Sequence, residues 1–577
     1  MPSRTGPVHV ATTTRRYKDK IYLSHLLRRT FRLGARVLHE TVGNISHLPA
    51  ELIDLIRRAL AGEKFVPAIA AFGVVESLPH GHVQAVLGTA RRLGLDSWIA
   101  SKPCRERNLV LAMVTERLLY PCSKLATTRL WHTTTLAQEL AVEQCDEDDL
   151  YAALDWLLAR QARIENKLAQ RHLGEGGVVL YDVSTSYYEG HTCPLARFGK
   201  DRDGQKGLPI IVYGVLTDAQ GRPVAVDVYP GNTGDPTTVP DQVEKLRGRF
   251  GLTHVVLVGD RGMLTETQID TLRQFPRLGW ISALRGPAIQ ELVQGGGLQL
   301  SLFDQQNLAE ITSPQYPGER LIACFNPLLA EERRHKREEL LRATERELHK
   351  IAKEVARRKR TPLSEAEIAL KVGKVVNHYK VAKHFSLTIA NGVFSWVRRE
   401  EAIRREGELD GVYVVRTSET SLACSAADTV RRYKSLAQVE RAFRCLKGIE
   451  LRIRPIHHRT ADHVRAHIFL CLLAYYVEWH MRQALAPLLF DDEELTRERA
   501  QRDAVAPARA SLSAQKKKRL RRTPDGLPVH SFQTLLQVLG TRCRNLCQIC
   551  SDPKGTTFHQ LTDPTPLQAR AFQLLGL

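Results

Sequence analysis

The segment Tyr433-Lys-Ser-Leu-Ala-Gln-Val-Glu440-Arg-Ala-Phe-Arg-Cys-Leu-Lys447 has the spacing of an amphipathic helix. Tyr433, Glu440 and Lys447 recur every seven residues, which would place them on one face of a single helix. This pattern alone is also typical of a solvated ion-pair face. A separate apolar stripe can pack on a sheet, and it consists of Leu436, Val439, Phe443 and Leu446.

Two aspartates upstream lie at apolar runs that are typical of strands. Asp182 stands inside the β-branched run 178–183, and Asp260 closely follows the run 255–258. A buried carboxylate is costly unless it is paired or coordinates a cation, and ligands of α/β sheets gather at the carboxyl ends of strands. Either aspartate alone could equally be a helix cap or a turn residue. The three acids together predict a three-carboxylate metal site for cutting DNA.

These residues resemble the catalytic triad of DDE transposases encoded by bacterial insertion sequences. The closest likeness is to the group with a Tyr-Arg-Glu-Lys signature around the third acid, in which Tyr and Lys each stand seven residues from Glu. The signature's Arg is replaced here by Leu436, and Arg441, Arg444 or Arg432 could take over its phosphate contact. Further similar segments are Asp182-Val-Ser-Thr, Gly259-Asp-Arg-Gly262 and Asp410-Gly-Val-Tyr-Val-Val-Arg-Thr417.

The resemblance implies an α/β fold with an RNase H-like catalytic core. It implies that Asp182, Asp260 and Glu440 are both the catalytic residues and the ligands of two Mg²⁺ ions, which Mn²⁺ can replace. The implied activity is metal-dependent cleavage at insertion-sequence ends and strand transfer into target DNA. The implied partners are double-stranded DNA, as terminal inverted repeats and as target, and a second copy of the chain in a homodimeric synaptic complex. The implied DNA contacts are Tyr433, Lys447, Arg444, Arg441 and Arg261.

Two other functions fit the same residues. One is a DNA-binding protein derived from a transposase that has lost catalysis, an interpretation that Leu436 leaves open. The other is a different RNase H-like nuclease, although such enzymes are usually smaller and lack the Tyr-Glu-Lys helix.

Composition agrees with a polyanion partner. The 577 residues carry a formal net charge of +20 and are 43% hydrophobic, which predicts folded domains that bind nucleic acid and argues against a disordered basic tail. Residues 1–20 are polar and basic without the apolar stretch of a secretion signal. The apolar run 468–477 is too short to cross a bilayer. We therefore expect a bacterial cytoplasmic, nucleoid-associated protein.

The order of predicted elements gives the domain organisation. Three strands, a helix and a strand precede the late acid-bearing helix, as in an RNase H-like core. Asp260 and Glu440 are 180 positions apart, against 78 between Asp182 and Asp260, which predicts an insertion. The predicted regions are a basic N-terminal region (1–65), a helical domain that binds transposon ends (66–172), the first part of the core (175–284), an insertion domain (285–405), the second part of the core (406–485), and a basic linker with a helical C-terminal tail (486–577).

Three cysteines near the C-terminus are spaced closely enough to suggest a metal site. Cys543, Cys547 and Cys550 lie in a segment predicted to be helical, and His559 is a conceivable fourth ligand for zinc. The more ordinary interpretation is that these are reduced, packed thiols, like the other cysteines of the chain.

Overall fold

The computed structural model describes residues 5–65, 71–275, 277–550 and 555–577. The chain forms two compact units. Unit 1 combines Met1–Ser77 with Arg544–Thr562, and unit 2 combines Leu78–Cys543 with Asp563–Leu577. Residues 66–70, where the predicted helical domain begins, lie outside the described residues.

Unit 1 begins with an antiparallel three-stranded sheet in the basic N-terminal region. Its strands occur in the order β1-β2-β3, and a helix, α1, follows them. A fourth strand, β4, belongs to a second small sheet. The bounds are β1 Val8–Tyr17, β2 Lys20–Leu33, β3 Arg36–Asn44, α1 Ala50–Leu60 and β4 Phe72–Pro79.

The N-terminal part of unit 2 is helical, as predicted. These helices share one hydrophobic core with the large central sheet, so they do not form a core of their own. Helix α4 is buried around most of its surface. The bounds are α2 Gly81–Arg92, α3 Leu95–Ile99, α4 Arg105–Leu119, α5 Lys124–Leu130, α6 Leu136–Leu140, α7 Glu147–Leu158 and α8 Gln161–His172.

The central sheet of unit 2 is mixed, which confirms the predicted α/β class. Its first three strands form an antiparallel meander, and the next two run parallel to the first strand on its other side. Both faces of the sheet are covered, and this is why its strands are almost continuous runs of apolar, β-branched residues. The bounds are β5 Gly177–Tyr187, β6 Ile210–Asp218, β7 Pro223–Pro230, α9 Val239–Glu244, β8 Val255–Val258, α10 Glu266–Arg273 and β9 Leu278–Ala283.

The predicted insertion, 285–405, is divided between the sheet and a separate cluster. Two of its strands, β10 and β11, extend the central sheet through β14, so this part of the region is not separate from the core. The remaining helices and the β12–β13 hairpin enclose their own hydrophobic cluster. The bounds are α11 Gly286–Gln294, β10 Leu308–Ile311, β11 Arg320–Phe325, α12 Pro327–Arg357, α13 Glu365–Tyr379, β12 Phe385–Ala390, β13 Val393–Arg398, α14 Glu400–Gly407 and β14 Val412–Thr417.

The chain then returns to the core with three helices. The longest, α17, is buried on nearly all sides and packs against α4, α7 and β7. Within the described ranges, no helix has the length and apolar content needed to cross a membrane. The bounds are α15 Ala426–Lys434, α16 Ala437–Lys447 and α17 Ala461–Leu485.

The C-terminal region is not a flexible linker followed by a purely helical tail. The segment 501–524 contains a helix, α19, whose Lys517 is buried and donates hydrogen bonds to the Ala486 carbonyl and to Glu493. Two strands of unit 1 follow later and complete the sheet β16-β15-β4. The bounds are α18 Leu495–Gln501, α19 Leu512–Leu520, α20 Phe532–Gly540, β15 Cys543–Ile549, β16 Thr557–Leu561 and α21 Pro566–Leu575.

Candidate active site

Sheet register brings the two aspartates together. The parallel strands β5 and β8 are aligned so that Leu180 is opposite Val258. Asp182 and Asp260 each stand two residues beyond that pair, so the register places them side by side. Asp260 follows the end of β8, whereas Asp182 lies midway along β5 and not at the carboxyl end of its strand.

The third acid, Glu440, lies on α16. Val439 and Phe443 are buried on the inner side of this helix, and Phe443 packs edge-on against Tyr213 of β6 with ring centroids 5.8 Å apart. The apolar stripe predicted for this segment therefore docks the helix on the sheet. Asp182, Asp260 and Glu440 line one open cavity of about 490 Å³.

The signature segment is two helices, not one as predicted. Helix α15 ends at Lys434 and α16 begins at Ala437. At the junction, the amides of Leu436, Gln438 and Val439 donate to carbonyls three residues earlier, which is a tighter turn than an α-helix makes. Because of this break, Tyr433 is not on the same helix as Glu440. Leu436, which replaces the signature's Arg, packs against the main core.

Lys447 is held by a buried acid that the sequence did not suggest. Its Nζ lies 2.8 Å from Oδ1 of Asp203, a carboxylate that is 1% exposed. Arg454 pairs with the same carboxylate. Burial lowers the pKa of Lys447, and Asp203 opposes that effect. The side chain predicted to contact phosphate is therefore part of an internal ion-pair cluster in this structure.

Another cation, Arg202, lies beside the acids, although the sequence did not indicate it. The Arg202 guanidinium donates to the Val183 carbonyl and pairs with Asp235. Arg202, Asp235 and Lys200 line the same cavity as the three acids. The run Lys-Asp-Arg-Asp at 200–203 contains both cations, but only the fold shows that they lie beside Asp182.

Burial affects the protonation of two side chains at this site. It raises the pKa of Asp182 to about 7, and the Asp260 and Glu440 carboxylates act in the same direction. The backbone N–H of Val183, which donates to Asp182 at 2.8 Å, and the Arg202 guanidinium favour the ionised form. Burial also raises the pKa of the Tyr433 hydroxyl, with a further contribution from Asp260.

The predicted arginines lie in different places. Five residues were predicted to contact DNA, and of these only Arg444 is among the described residues that line the acid cavity. Arg441 lines a different cavity and pairs with Asp491 at 3.3 Å. Arg261 is exposed next to Asp260, and its carbonyl accepts a hydrogen bond from Arg285 at 3.3 Å.

The cavity offers the right ligand types for Mg²⁺, which prefers carboxylate oxygens. A buried carboxylate with a raised pKa, such as Asp182, gains from a nearby cation. Across the ranges that the structure describes, however, no three His, Cys, Asp or Glu side chains are close enough to hold a metal ion as they stand. Chelation would therefore require the three carboxylates to move closer together.

Two of the three C-terminal cysteines, Cys543 and Cys547, lie on a strand and not on the predicted helix, and Cys550 follows the end of that strand. Cys543 and Cys547 are four residues apart in β15, which separates them by about 13 Å along the strand. Cys547 is buried, whereas Cys550 is exposed. This extended spacing does not bring the thiols to one ion, in agreement with the lack of a metal-binding group among the described side chains.

The sheet and the cavity together define an α/β protein with a three-carboxylate site. Residues 176–477 of the 577 match the family model described as Transposase DDE domain. The chain belongs to this family of DDE transposases, and the match indicates a role in DNA transposition.

One solved structure is also similar to this chain. It is the cryo-EM structure of a piggyBac transposase synaptic complex with hairpin DNA, which is 11% identical and has a TM-score of 0.23. The similarity covers 77% of this chain and 88% of that chain. No curated protein matches the sequence.

Proposed function

We propose that this protein is an insertion-sequence transposase that cleaves DNA at the ends of its element and joins those ends to target DNA. The observation that supports this most directly is the shared cavity of Asp182, Asp260 and Glu440 within the matched family region. Three separate elements contribute the acids, so their meeting is a property of the fold and not of one local motif.

The strand arrangement supports an RNase H-like core. A meander of β5, β6 and β7 continues through β8 and β9, which are parallel to β5, in the sheet order β7-β6-β5-β8-β9. This is the order of three strands, helix and strand that was expected before the acid-bearing helix. The extra strands β10, β11 and β14 extend the sheet beyond β9.

The three carboxylates are the proposed ligands of two Mg²⁺ ions, for which Mn²⁺ could substitute. When bound, such a pair of ions activates the attacking oxygen and stabilises the leaving oxygen. Arg202 holds β5 at the Val183 carbonyl and thereby keeps the backbone beside Asp182 in place.

The cations around the cavity are the proposed phosphate contacts. Arg444 and Lys200 are exposed and line the cavity, so they can meet a DNA strand without rearrangement. Tyr433, Arg261 and Arg441 do not line the cavity, and they remain proposed DNA contacts outside it. Lys447 would have to leave Asp203 to reach a phosphate, so we expect its main role to be positioning α16.

The proposed substrate is double-stranded DNA that carries the terminal inverted repeats of the element, and the proposed product is joined target DNA. We further propose a homodimer that holds both ends, in the bacterial cytoplasm near the nucleoid. The alternative is a transposase-derived protein that binds DNA without cutting it, for which Leu436 in place of the signature's Arg is the motivating observation.

The test is cleavage of a labelled duplex that carries the inverted repeat flanking the gene, with Mg²⁺ and with EDTA. We expect metal-dependent nicking at the repeat boundary. Asp182→Asn, Asp260→Asn and Glu440→Gln should each reduce it at least about 1,000-fold, because each removes a charged metal ligand. Binding of the repeat, measured without metal, should change less than about threefold.

Asp241→Asn is the matched control, because Asp241 is an exposed carboxylate of α9 outside the cavity. Full cleavage by any one of the three acid variants would remove that residue from the site. Repeat binding without cleavage in every metal tested would favour the DNA-binding alternative.

A further inference from the structure

The first hairpin of unit 1 extends beyond the sheet to which it belongs. Strands β1 and β2 are paired along Val8–Tyr17 and Lys20–Arg29. Strand β3 pairs only with the second half of β2, from Leu26 to Leu33. Within the residues that the structure describes, 12–25 therefore form a two-stranded antiparallel ribbon without a third strand beside it, and we refer to them as the ribbon.

The ribbon is strongly basic. Arg15, Arg16, Lys18 and Lys20 stand within six positions, with Asp19 as the single acid. All of these side chains are exposed. In the part of the chain that the structure describes, no ion pair involves any of the four cations. A solvated protein surface usually mixes both signs of charge, whereas this ribbon concentrates one.

Strand register places cations and tyrosines on the same face. Arg15 is opposite Tyr22, and Tyr17 is opposite Lys20, and both pairs fall on one face because alternate residues of a strand point the same way. Tyr17 is 61% exposed and Tyr22 is 51% exposed. The face formed by Arg15, Tyr17, Lys20 and Tyr22 therefore carries two cations and two tyrosines. The opposite face of the ribbon differs, because it carries the aliphatic side chains of Ile21 and Leu23 beside Arg16.

An isolated two-stranded hairpin is at best marginally stable in water, and clustered like charges weaken it further. A polyanion bound to this face would neutralise the charges and cover the two tyrosine rings. Duplex DNA suits the shape as well as the charge, because its major groove, about 12 Å wide, admits a two-stranded β-ribbon.

We propose that the ribbon is a duplex-DNA-binding element, which lies in the major groove with the face of Arg15, Tyr17, Lys20 and Tyr22 toward the DNA. The inference rests on the proposed function for the identity of the partner, but the binding surface lies in unit 1 and involves none of the three acids. It assigns a DNA-binding role to 12–25, whereas the sequence pattern suggested one for the helices of 66–172.

The experiment compares two double variants of the full-length protein that remove the same charge from the same sheet. Arg15→Gln with Lys20→Gln alters the ribbon. Arg32→Gln with Arg36→Gln alters the opposite end of β2, at the turn to β3. Fluorescence anisotropy of a labelled 30-base-pair duplex, in EDTA and over a range of salt concentrations, gives the dissociation constant and its salt slope. Circular dichroism confirms that both variants are folded.

We expect the ribbon variant to bind the duplex about tenfold more weakly and to lose about two units of salt slope, because two phosphate contacts are removed. The control variant should stay within about twofold of the unmodified protein. If both variants bound the duplex equally weakly, the loss of affinity would follow from the lower net charge alone, and the proposal would be overturned. Unchanged binding by the ribbon variant, or an equal loss for single-stranded RNA of the same length, would also overturn it.

The outcome is independent of the cleavage test. Unchanged duplex binding by the ribbon variant, together with cleavage that still needs Asp182, Asp260 and Glu440, would reject the ribbon alone. Weakened binding by the ribbon variant, together with cleavage that survives loss of those acids, would reject the proposed catalytic site alone.

Discussion

The fold strongly affects the protonation of Asp182. This residue lies within a strand and has two carboxylates near it, so its ionised form is disfavoured in the metal-free protein. The Val183 amide and Arg202 only partly offset this effect. A cation bound at the cavity would reverse the balance, which is how a metal site is normally coupled to the protonation of its ligands.

This raised pKa makes stability depend on pH. Between about pH 4 and pH 7 the native Asp182 keeps a proton that the unfolded chain has lost, so its stabilising effect falls as pH rises through about 7. A shift from 3.8 to about 7 corresponds to about 4 kcal/mol, which partial exposure reduces to about 2 kcal/mol. In EDTA, the stability of Asp182→Asn relative to the unmodified protein should therefore increase by about 2 kcal/mol from pH 4 to pH 8.

Urea unfolding at a series of pH values measures this difference in the free energy of unfolding. Asp241→Asn should keep the pH profile of the unmodified protein. A profile for Asp182→Asn that runs parallel to that of the unmodified protein would show that Asp182 is ionised normally.

The three acids could be predicted from the sequence because each stands in a recognisable local pattern, and the structure brings them to one cavity. The sequence could not identify Asp203 as the partner of Lys447, because 244 residues separate them and only the fold joins them. Arg202 was missed for the same reason. Local patterns specify which residue types can do chemistry, whereas long-range ion pairs decide which cations are free to meet a ligand.

At the scale of elements, α15 is fixed by the C-terminal segment that follows α18. Lys434 Nζ donates to the carbonyls of Ala504, Val505 and Ala506 at 2.6, 3.0 and 3.3 Å. Arg431 donates to the Arg502 carbonyl at 3.0 Å. These bonds explain why a stretch with the composition of a linker is ordered here, and they connect it to the helix that precedes Glu440.

We expect Lys434→Met to lower the free energy of unfolding by about 2 kcal/mol, because three partly buried hydrogen bonds from a charged donor to backbone carbonyls are lost. Lys516→Met, on the exposed side of α19, should change it by less than about 0.5 kcal/mol. Urea unfolding measures both values. Trypsin digestion should also cut the segment 502–509 faster in Lys434→Met, and unchanged digestion would show that these bonds do not hold the segment.

Strands were predicted well where both faces are buried and less well elsewhere. The runs that became β5, β6 and β8 are almost continuously apolar and β-branched, so their type was evident. Strand β15 is short, only partly buried and polar at Arg544 and Asn545, so its residues suggested a helix. The break at Ser435 and Leu436 could not be predicted from the sequence pattern. Both residues keep helical backbone angles, and only the hydrogen bonds change, so the local sequence still has the character of one continuous helix.

At the scale of the whole molecule, the proposed metal site should be visible in thermal stability without any DNA. Mg²⁺ at ten times its dissociation constant stabilises a native protein by about 1.4 kcal/mol, provided that it binds the folded state alone. We expect the melting temperature to rise with Mg²⁺ and to return to its starting value with excess EDTA.

Asp260→Asn should abolish this rise, and Asp241→Asn should preserve it. Differential scanning fluorimetry measures both. An equal rise in the Asp260→Asn protein would place the stabilising ion somewhere other than the cavity, whatever the cleavage assay shows.

The three acids of the cavity stand at positions 182, 260 and 440, and the whole predicted insertion, 285–405, lies between the last two. A ribosome that adds 5–20 residues per second needs about 10–40 s to proceed from the second acid to the third. During that interval the growing chain already displays the basic ribbon but lacks Glu440. A transposase still attached to its ribosome could therefore associate with nearby DNA before it is able to cut it. The order of residues along the chain therefore delays catalysis until Glu440 has been synthesised.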